Sequence, residues 1–208
     1  KESQATQWAV IAALAARATA RPAELRLDRD DDMIMTGKRH DMRVDWRAGF
    51  DEIGRLSAVD VTFLARCGHS ADLSQGVVDR AVFHADNAYD YPAATIRSRR
   101  LLTDTVSNTA FRGFGGPQGV AFAERLMDAI AFRLGRDPLD VRYANLYPDA
   151  GAPAHGVTPY GQVVDGGILG ALMRELETTS DYRARAAEIA AWNLTSSFLR
   201  RGIALTPV

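Results

Sequence analysis

The ordering of apolar patterns along the chain predicts an α+β fold, with mixed or antiparallel sheets and packed helices. Segments in which apolar and polar residues alternate with period two crowd the first half, and segments with helical spacing crowd the second. That segregation argues against a regular βαβ alternation. A glycine-rich loop, Gly113-Phe114-Gly115-Gly116, separates the two regimes.

The elements follow in order. Ser3 to Arg21 is alanine-rich, with Trp8, Ile11, Ala12 and Ala15 at helical spacing, and Pro22 stops it. Apolar residues surround much of this helix, which predicts burial on more than one side. Leu25 and Leu27 read as a short strand, and Asp30-Asp31-Asp32 as a turn. Met42, Val44 and Trp46 alternate with charged residues, and Val59, Val61 and Phe63 repeat the pattern. Both are strands with one wet face, suggesting an antiparallel meander. Leu73 to Tyr89 is ambiguous, although Val77, Val78, Ala81, Val82 and Ala85 suit a helix. Ile96 to Thr105 is a further candidate strand.

Pro117 occupies a good first helical position after the glycine loop. Val120, Ala123, Met127, Ile130 and Leu134 form the apolar stripe of that helix, and Gly135 ends it. Asp137-Pro138 opens another helix toward Tyr147. Ala150 to Tyr160 is a connector rich in Gly, Pro and Ala. Ile168, Leu169, Leu172, Met173 and Leu176 mark a helix, and Ser180 is the expected cap of the next, through Trp192. Ile203-Ala204-Leu205 looks like an unfinished strand. A boundary is expected near residues 148–160.

The 208 residues are enough for one large domain or two small ones, and 47% hydrophobic with 25% charged residues is ordinary for a globular protein. A formal charge of −1 gives no electrostatic reason to expect nucleic acid or an anionic membrane as partner. No apolar run reaches the roughly 18 residues of a spanning helix. One cysteine, Cys67, excludes an intrachain disulfide and fits a reducing, cytoplasmic setting. The chain starts at Lys1 and ends on an apolar run, so both ends are expected to be cuts through a longer protein.

Thr109-Ala110-Phe111-Arg112-Gly113-Phe114-Gly115-Gly116-Pro117-Gln118 is the densest chemical signal. Its glycines permit close backbone approach to a ligand, and the helix after it favours an anion nearby. The same glycines could equally serve only a turn that needs φ > 0. The spacing is neither a Rossmann fingerprint nor a phosphate-binding loop with Gly-Lys-Ser/Thr. Arg80, inside Val77-Val78-Asp79-Arg80-Ala81-Val82-Phe83, reads locally as a surface residue more readily than as a buried, paired charge. Glu2 carries no local signal. The four histidines and Cys67 have no zinc-ligand spacing. Local chemistry alone also admits a non-catalytic nucleotide- or phosphate-binding module.

Ser107 through Gln118 resembles the signature of the xanthine dehydrogenase and aldehyde oxidase family. Gly37-Lys38-Arg39-His40-Asp41 and Asp79 through Tyr89 resemble it in register, and Lys1-Glu2 resembles the end of a glycine-rich motif. The resemblance covers nearly the whole chain, most strongly from Lys1 to Tyr147. It implies a molybdenum hydroxylase with a molybdopterin cofactor, which oxidises hypoxanthine and xanthine to urate with oxygen from water. Another heterocycle or an aldehyde is the alternative substrate. Residues 1–148 would form the substrate-facing part of the cofactor region, and 149–208 the connector and helices beyond it.

By the same resemblance Glu2 hydrogen-bonds the purine, Arg80 faces its six-membered ring from a buried position, and Phe114 stacks on it. Glu2 and Arg80 are thereby the implied catalytic pair, and aldehyde oxidases of the family generally lack it. Arg112 and Gly113 are the implied cofactor-binding positions, the main chain of Arg112 running beside the molybdenum without a side-chain bond. The family's general-base glutamate has no counterpart here and is expected beyond Val208. FAD and two-iron two-sulfur clusters, with NAD as final acceptor, are implied in another subunit or domain. The remainder of the large subunit and a higher homo-oligomer complete the implied partners.

Overall fold

The computed structural model describes residues 4–149, 156–165 and 167–207. The α+β expectation holds. The elements run α1 (Gln4–Thr19), α2 (Arg29–Met35), β1 (Met42–Phe50), β2 (Leu56–Gly68), α3 (Ser74–Phe83), β3 (Ala94–Leu102), α4 (Gly116–Leu134), α5 (Pro138–Asn145), β4 (Gly156–Val157), β5 (Val163–Val164), α6 (Leu169–Thr179) and α7 (Tyr182–Thr195). β1, β2 and β3 form one sheet in sequential order, and β4 pairs antiparallel with β5. The chain divides into two compact units. One comprises Lys1–Asp45, Val61–Phe83 and Arg97–Gln118; the other comprises Trp46–Asp60, His84–Ile96 and Gly119–Val208.

In the first unit, β2 supplies Val61, Phe63, Ala65 and Cys67 to the core, on alternate positions as a pleated strand must. α3 buries Val77, Val78 and Ala81. Asn108 is buried and fully engaged: its Nδ2 donates to the Arg66 carbonyl at 2.9 Å, and its Oδ1 accepts from the Lys38 N–H at 3.3 Å.

Three local expectations here need correction. α1 exposes Val10, Ile11 and Leu14 instead of burying them. Its alanines keep it helical by intrinsic preference, without an apolar face against the described core. Residues 21–27 join no sheet. The acidic run is a helix, not a turn: Asp28 caps α2 by accepting from the Asp30 N–H at 2.8 Å, and Asp30, Asp31 and Asp32 occupy the first turn, where the helix dipole favours them.

In the second unit, α4 buries Phe122, Ala123, Leu126, Met127, Ile130 and Ala131. α5 starts as expected, with Asp137 accepting from the Leu139 N–H at 2.8 Å and Pro138 in the first turn. Leu139, Met173, Tyr182 and Leu205 form an apolar cluster, to which Ile203 adds. Ile203 to Leu205 is therefore not a strand but a packed extended tail. Ser180 closes α6 by donating its N–H to the Leu176 carbonyl, and Asp181, at φ 51°, precedes α7. Ser180 is a C-cap, not the N-cap that its hydroxyl suggested. Of the expected connector, 150–155 lie outside the described residues.

The second unit also contains a charged knot. Arg142 is 2% exposed; its Nε donates to Glu124 Oε2 at 2.7 Å and its Nη2 to Asp128 Oδ1 at 2.8 Å. Glu124 Oε1 accepts from the Tyr89 hydroxyl at 2.6 Å and from Asn87 Nδ2 at 3.0 Å. Nearby, Asn145 donates to the Gly54 and Val141 carbonyls and accepts from the Leu56 N–H, each at 2.8 Å. Removing one member of such a buried pair strands the other's charge. Arg142→Met is expected to destabilise the second unit by about 3–5 kcal/mol, whereas adding Glu124→Leu recovers much of the loss. Urea titration followed by amide exchange in α4 and α5 measures both.

Candidate functional site

The site is built from the loop between β3 and α4, within the first unit. Thr109 and Ala110 are buried, Phe111 and Arg112 are exposed, and Gly115 and Gly116 are buried again. The turn is closed by three successive backbone bonds: Phe114 N–H to Phe111 O at 2.8 Å, Gly116 N–H to Gly113 O at 2.9 Å, and Gln118 N–H to Gly115 O at 3.1 Å.

Three consecutive residues are left-handed: Gly113 at φ 95°, Phe114 at 47° and Gly115 at 98°. A Cβ on Gly113 would fall 2.5 Å from the Pro117 ring, and one on Gly115 only 1.9 Å from the Val77 carbonyl oxygen. Internal packing and backbone geometry thus account for both glycines without a ligand. Phe114 is different. A bulky residue in this region is strained, and such outliers gather at ligand sites.

The Phe114 ring lies over α3. A Cβ on Gly76 would meet its Cε1 at 3.0 Å. Arg80 is four residues further along α3, so Gly76 and Arg80 share a helix face. The structure therefore brings the Phe114 ring to the side of α3 that carries Arg80. Arg80 is exposed in this chain, as the local sequence reading has it and unlike the buried position the family resemblance implied. Val77, Val78 and Ala81 take the inward face of α3. Glu2 lies outside the described residues. Arg112 is exposed, and its carbonyl is bonded by Arg39 Nη2 at 2.5 Å.

A residue the sequence did not single out individually, His40, is buried against the start of α3, with Nε2 and Ser74 Oγ 2.7 Å apart. Its carbonyl accepts from Gln118 Nε2 at 2.9 Å. Thr109 Oγ1, Gln118 Oε1 and Arg39 Nη1 are buried polar atoms without a hydrogen-bond partner among the described residues. Thr109 also lines a 270 Å³ cavity with Trp8, Thr36, His69, Ser70 and Ser107. Among the described residues, no three His, Cys, Asp or Glu side chains converge as a metal-ligand set. The loop offers main-chain groups, guanidinium groups and unpartnered polar atoms. These suit an anionic, hydrogen-bonding cofactor that brings its own metal ligands.

The family model described as "Molybdopterin cofactor-binding domain" matches residues 1–146. The xanthine dehydrogenase/oxidase of Mus musculus is 38% identical over 207 residues, all of this chain and 15% of that protein. The nicotinate hydroxylase of Emericella nidulans is 37% identical over 208 residues, again 15% of its length. The chain therefore spans about a seventh of these curated relatives. Among solved structures, the aldehyde oxidoreductase of Desulfovibrio gigas superposes with a TM-score of 0.67 at 29% identity, covering 88% of this chain and 19% of that one. The CO dehydrogenase of Oligotropha carboxidovorans, at 23% identity and a TM-score of 0.71 over 88% of this chain and 23% of that one, shares the fold.

Burial lowers the His40 pKa from its ordinary 6.5, against the opposing pull of Asp72 and Asp41. The folded protein thus favours neutral His40, while the unfolded chain protonates near 6.5. The stability this group contributes is complete above that pH and declines as pH falls below it. Acidification from pH 7 to 5 is expected to lower amide protection in 109–118, measured as exchange relative to the intrinsic rate at each pH, and His40→Gln should flatten that dependence.

Proposed function

The chain belongs to the molybdopterin cofactor-binding domain family, and we propose that in the whole enzyme it forms the purine-facing side of a molybdenum hydroxylase that oxidises hypoxanthine and xanthine to urate. The observation that carries this reading is the Phe114 ring packed over Gly76, with Arg80 one turn further on the same face of α3. A flat ring and a guanidinium on one face suit a planar heterocycle that gains negative charge as it reacts. The unpartnered atoms of Thr109, Gln118 and Arg39 support a cofactor against the same loop.

When bound, the molybdopterin group supplies the redox chemistry and the activation of water. The chain's own residues do the rest. Main-chain groups of Arg112 and Gly113 would hold the cofactor, with Arg112 at the position that the family places beside the molybdenum. Phe114 stacks on the substrate. Arg80 stabilises charge on the purine's carbonyl oxygen and ring nitrogens, which requires water to be excluded from α3 by parts of the enzyme outside this chain. Glu2, at the family's matching sequence position, hydrogen-bonds a ring nitrogen. FAD and two-iron two-sulfur clusters elsewhere in the enzyme would carry the electrons away, with NAD as the acceptor and the cytoplasm as the setting this reading expects.

Nicotinate is the second reading. A relative of that name matches as well as the xanthine dehydrogenases do, and an aromatic carboxylate also suits a guanidinium beside a ring face. In the full-length enzyme, Arg80→Met is expected to lower kcat on xanthine by about two to three orders of magnitude, with less effect on a simple aldehyde. A normal rate on xanthine in that variant sinks the purine assignment. Wild-type kcat/KM higher on nicotinate than on xanthine selects the second reading.

Glu2→Ala should also cost xanthine strongly, and the double variant with Arg80→Met should lose less than the product of the single losses, because both side chains orient one ligand. The cycle is run with xanthine and an aldehyde in parallel. Equal losses on both substrates assign Glu2 to the cofactor or the fold.

A further inference from the structure

Gly37 to Asp41 resembles the family in register. The structure shows it running as a clasp along the glycine loop. Lys38 accepts the Thr109 N–H at 3.1 Å, and its own N–H donates to Asn108 Oδ1 at 3.3 Å. His40 accepts from Gln118 Nε2 at 2.9 Å. These bonds hold the two ends of the loop. The clasp is itself anchored, because Lys38 Nζ donates to the Asp32 and Thr36 carbonyls at 2.6 Å each and to Thr36 Oγ1 at 2.7 Å.

Arg39 grips the middle. Its Nη2 donates to the Arg112 carbonyl at 2.5 Å, and its guanidinium carbon sits 4.4 Å from the centroid of the Phe111 ring. One plane thus makes a charge-assisted hydrogen bond and a cation–π stack together, which a lysine ammonium cannot reproduce. Its Nη1 is buried without a partner among the described residues and lies 3.8 Å from where a Cβ on Gly113 would stand. Bonding the Arg112 carbonyl also polarises the peptide unit it belongs to. The N–H of that unit is Gly113's, on the side opposite the bonded oxygen, and it becomes a better donor.

We propose that Arg39 is a positioning residue: it fixes the Arg112–Gly113 peptide unit and orients its N–H toward the cofactor. This rests on the placement of that peptide beside the molybdenum given under Proposed function. Three left-handed residues in succession do not hold one geometry by themselves, so an external grip is required at their start. A main-chain donor at a reaction centre must be placed within a fraction of an ångström to be effective.

The test uses the full-length enzyme with Arg39→Met, Arg39→Lys and Phe111→Leu. Three readouts are taken per molybdenum bound: the Mo(V) resonance spectrum after partial dithionite reduction, amide exchange at Phe114, Gly116 and Gln118, and the steady-state constants. Arg39→Met is expected to shift the spectrum, to speed loop exchange about tenfold, and to lower kcat ten- to a hundredfold with little change in KM. Arg39→Lys should not rescue it, and Phe111→Leu, which removes only the stack, should be intermediate.

Wild-type spectrum, exchange and kcat in soluble Arg39→Met overturn the proposal, as does full rescue by lysine. A lowered unfolding midpoint with an unchanged spectrum assigns Arg39 to the fold alone and also overturns it. If Arg39→Met does not accumulate, Arg39→Lys decides by the same readouts. Wild-type enzyme that binds molybdenum but ignores xanthine overturns only the substrate reading, because the spectrum and exchange need no purine. Wild-type enzyme without molybdenum overturns both.

Discussion

A guanidinium removed from water must be answered by carboxylates, and Arg142 sets that requirement for the second unit. Glu124 and Asp128, four residues apart on α4, meet it from one helix face. Glu124 then has a free oxygen, which Tyr89 and Asn87 fill, and Asn87 also donates to the Pro207 carbonyl at 3.0 Å. A single buried charge in this way fixes α4, α5, the segment after α3 and the end of the described chain. The helix so held is the one that begins at the glycine loop, at Gly116.

In that loop the reading of the glycines as turn residues is met by two of them. Gly113 and Gly115 answer to the fold, since Pro117 and the Val77 carbonyl leave no space for a side chain. The signal for a ligand lies beside them, in Phe114 at φ 47° and in the unpartnered atoms of Thr109, Gln118 and Arg39.

Periodicity and punctuation sufficed for most elements because their cause is local. The alternation in β2, the stripe of α4 and the Asp137-Pro138 start of α5 each place a residue by its neighbours in sequence. Errors arose where one side chain suits several local geometries or where a distant partner decides. Ser180 and the acidic run have side chains suited to more than one end of a helix or turn, and the surrounding bonds choose. The exposure of α1 and Arg80 depends on what covers them. The candidate site was legible from local chemistry only as a glycine-rich loop; roles for Phe114, Arg112, Arg80 and Glu2 came as expectations from family resemblance. The grip of Arg39 was not legible, since residues 39 and 112 meet only through the fold.

The contact between Gly76 and Phe114 bears on how the placement of the Phe114 ring can be altered. Position 114 is a poor place to begin: its left-handed backbone penalises β-branched replacements, so the variety of side chains available there is narrow. Position 76 lies in a regular helix, and the first atom added there would stand 3.0 Å from the ring. Alanine or serine at 76 would displace the aromatic ring by a few tenths of an ångström without touching its chemistry. If the ring is the platform for a flat ligand, as the proposed function has it, laboratory evolution has its finest adjustment in the smallest residue of α3.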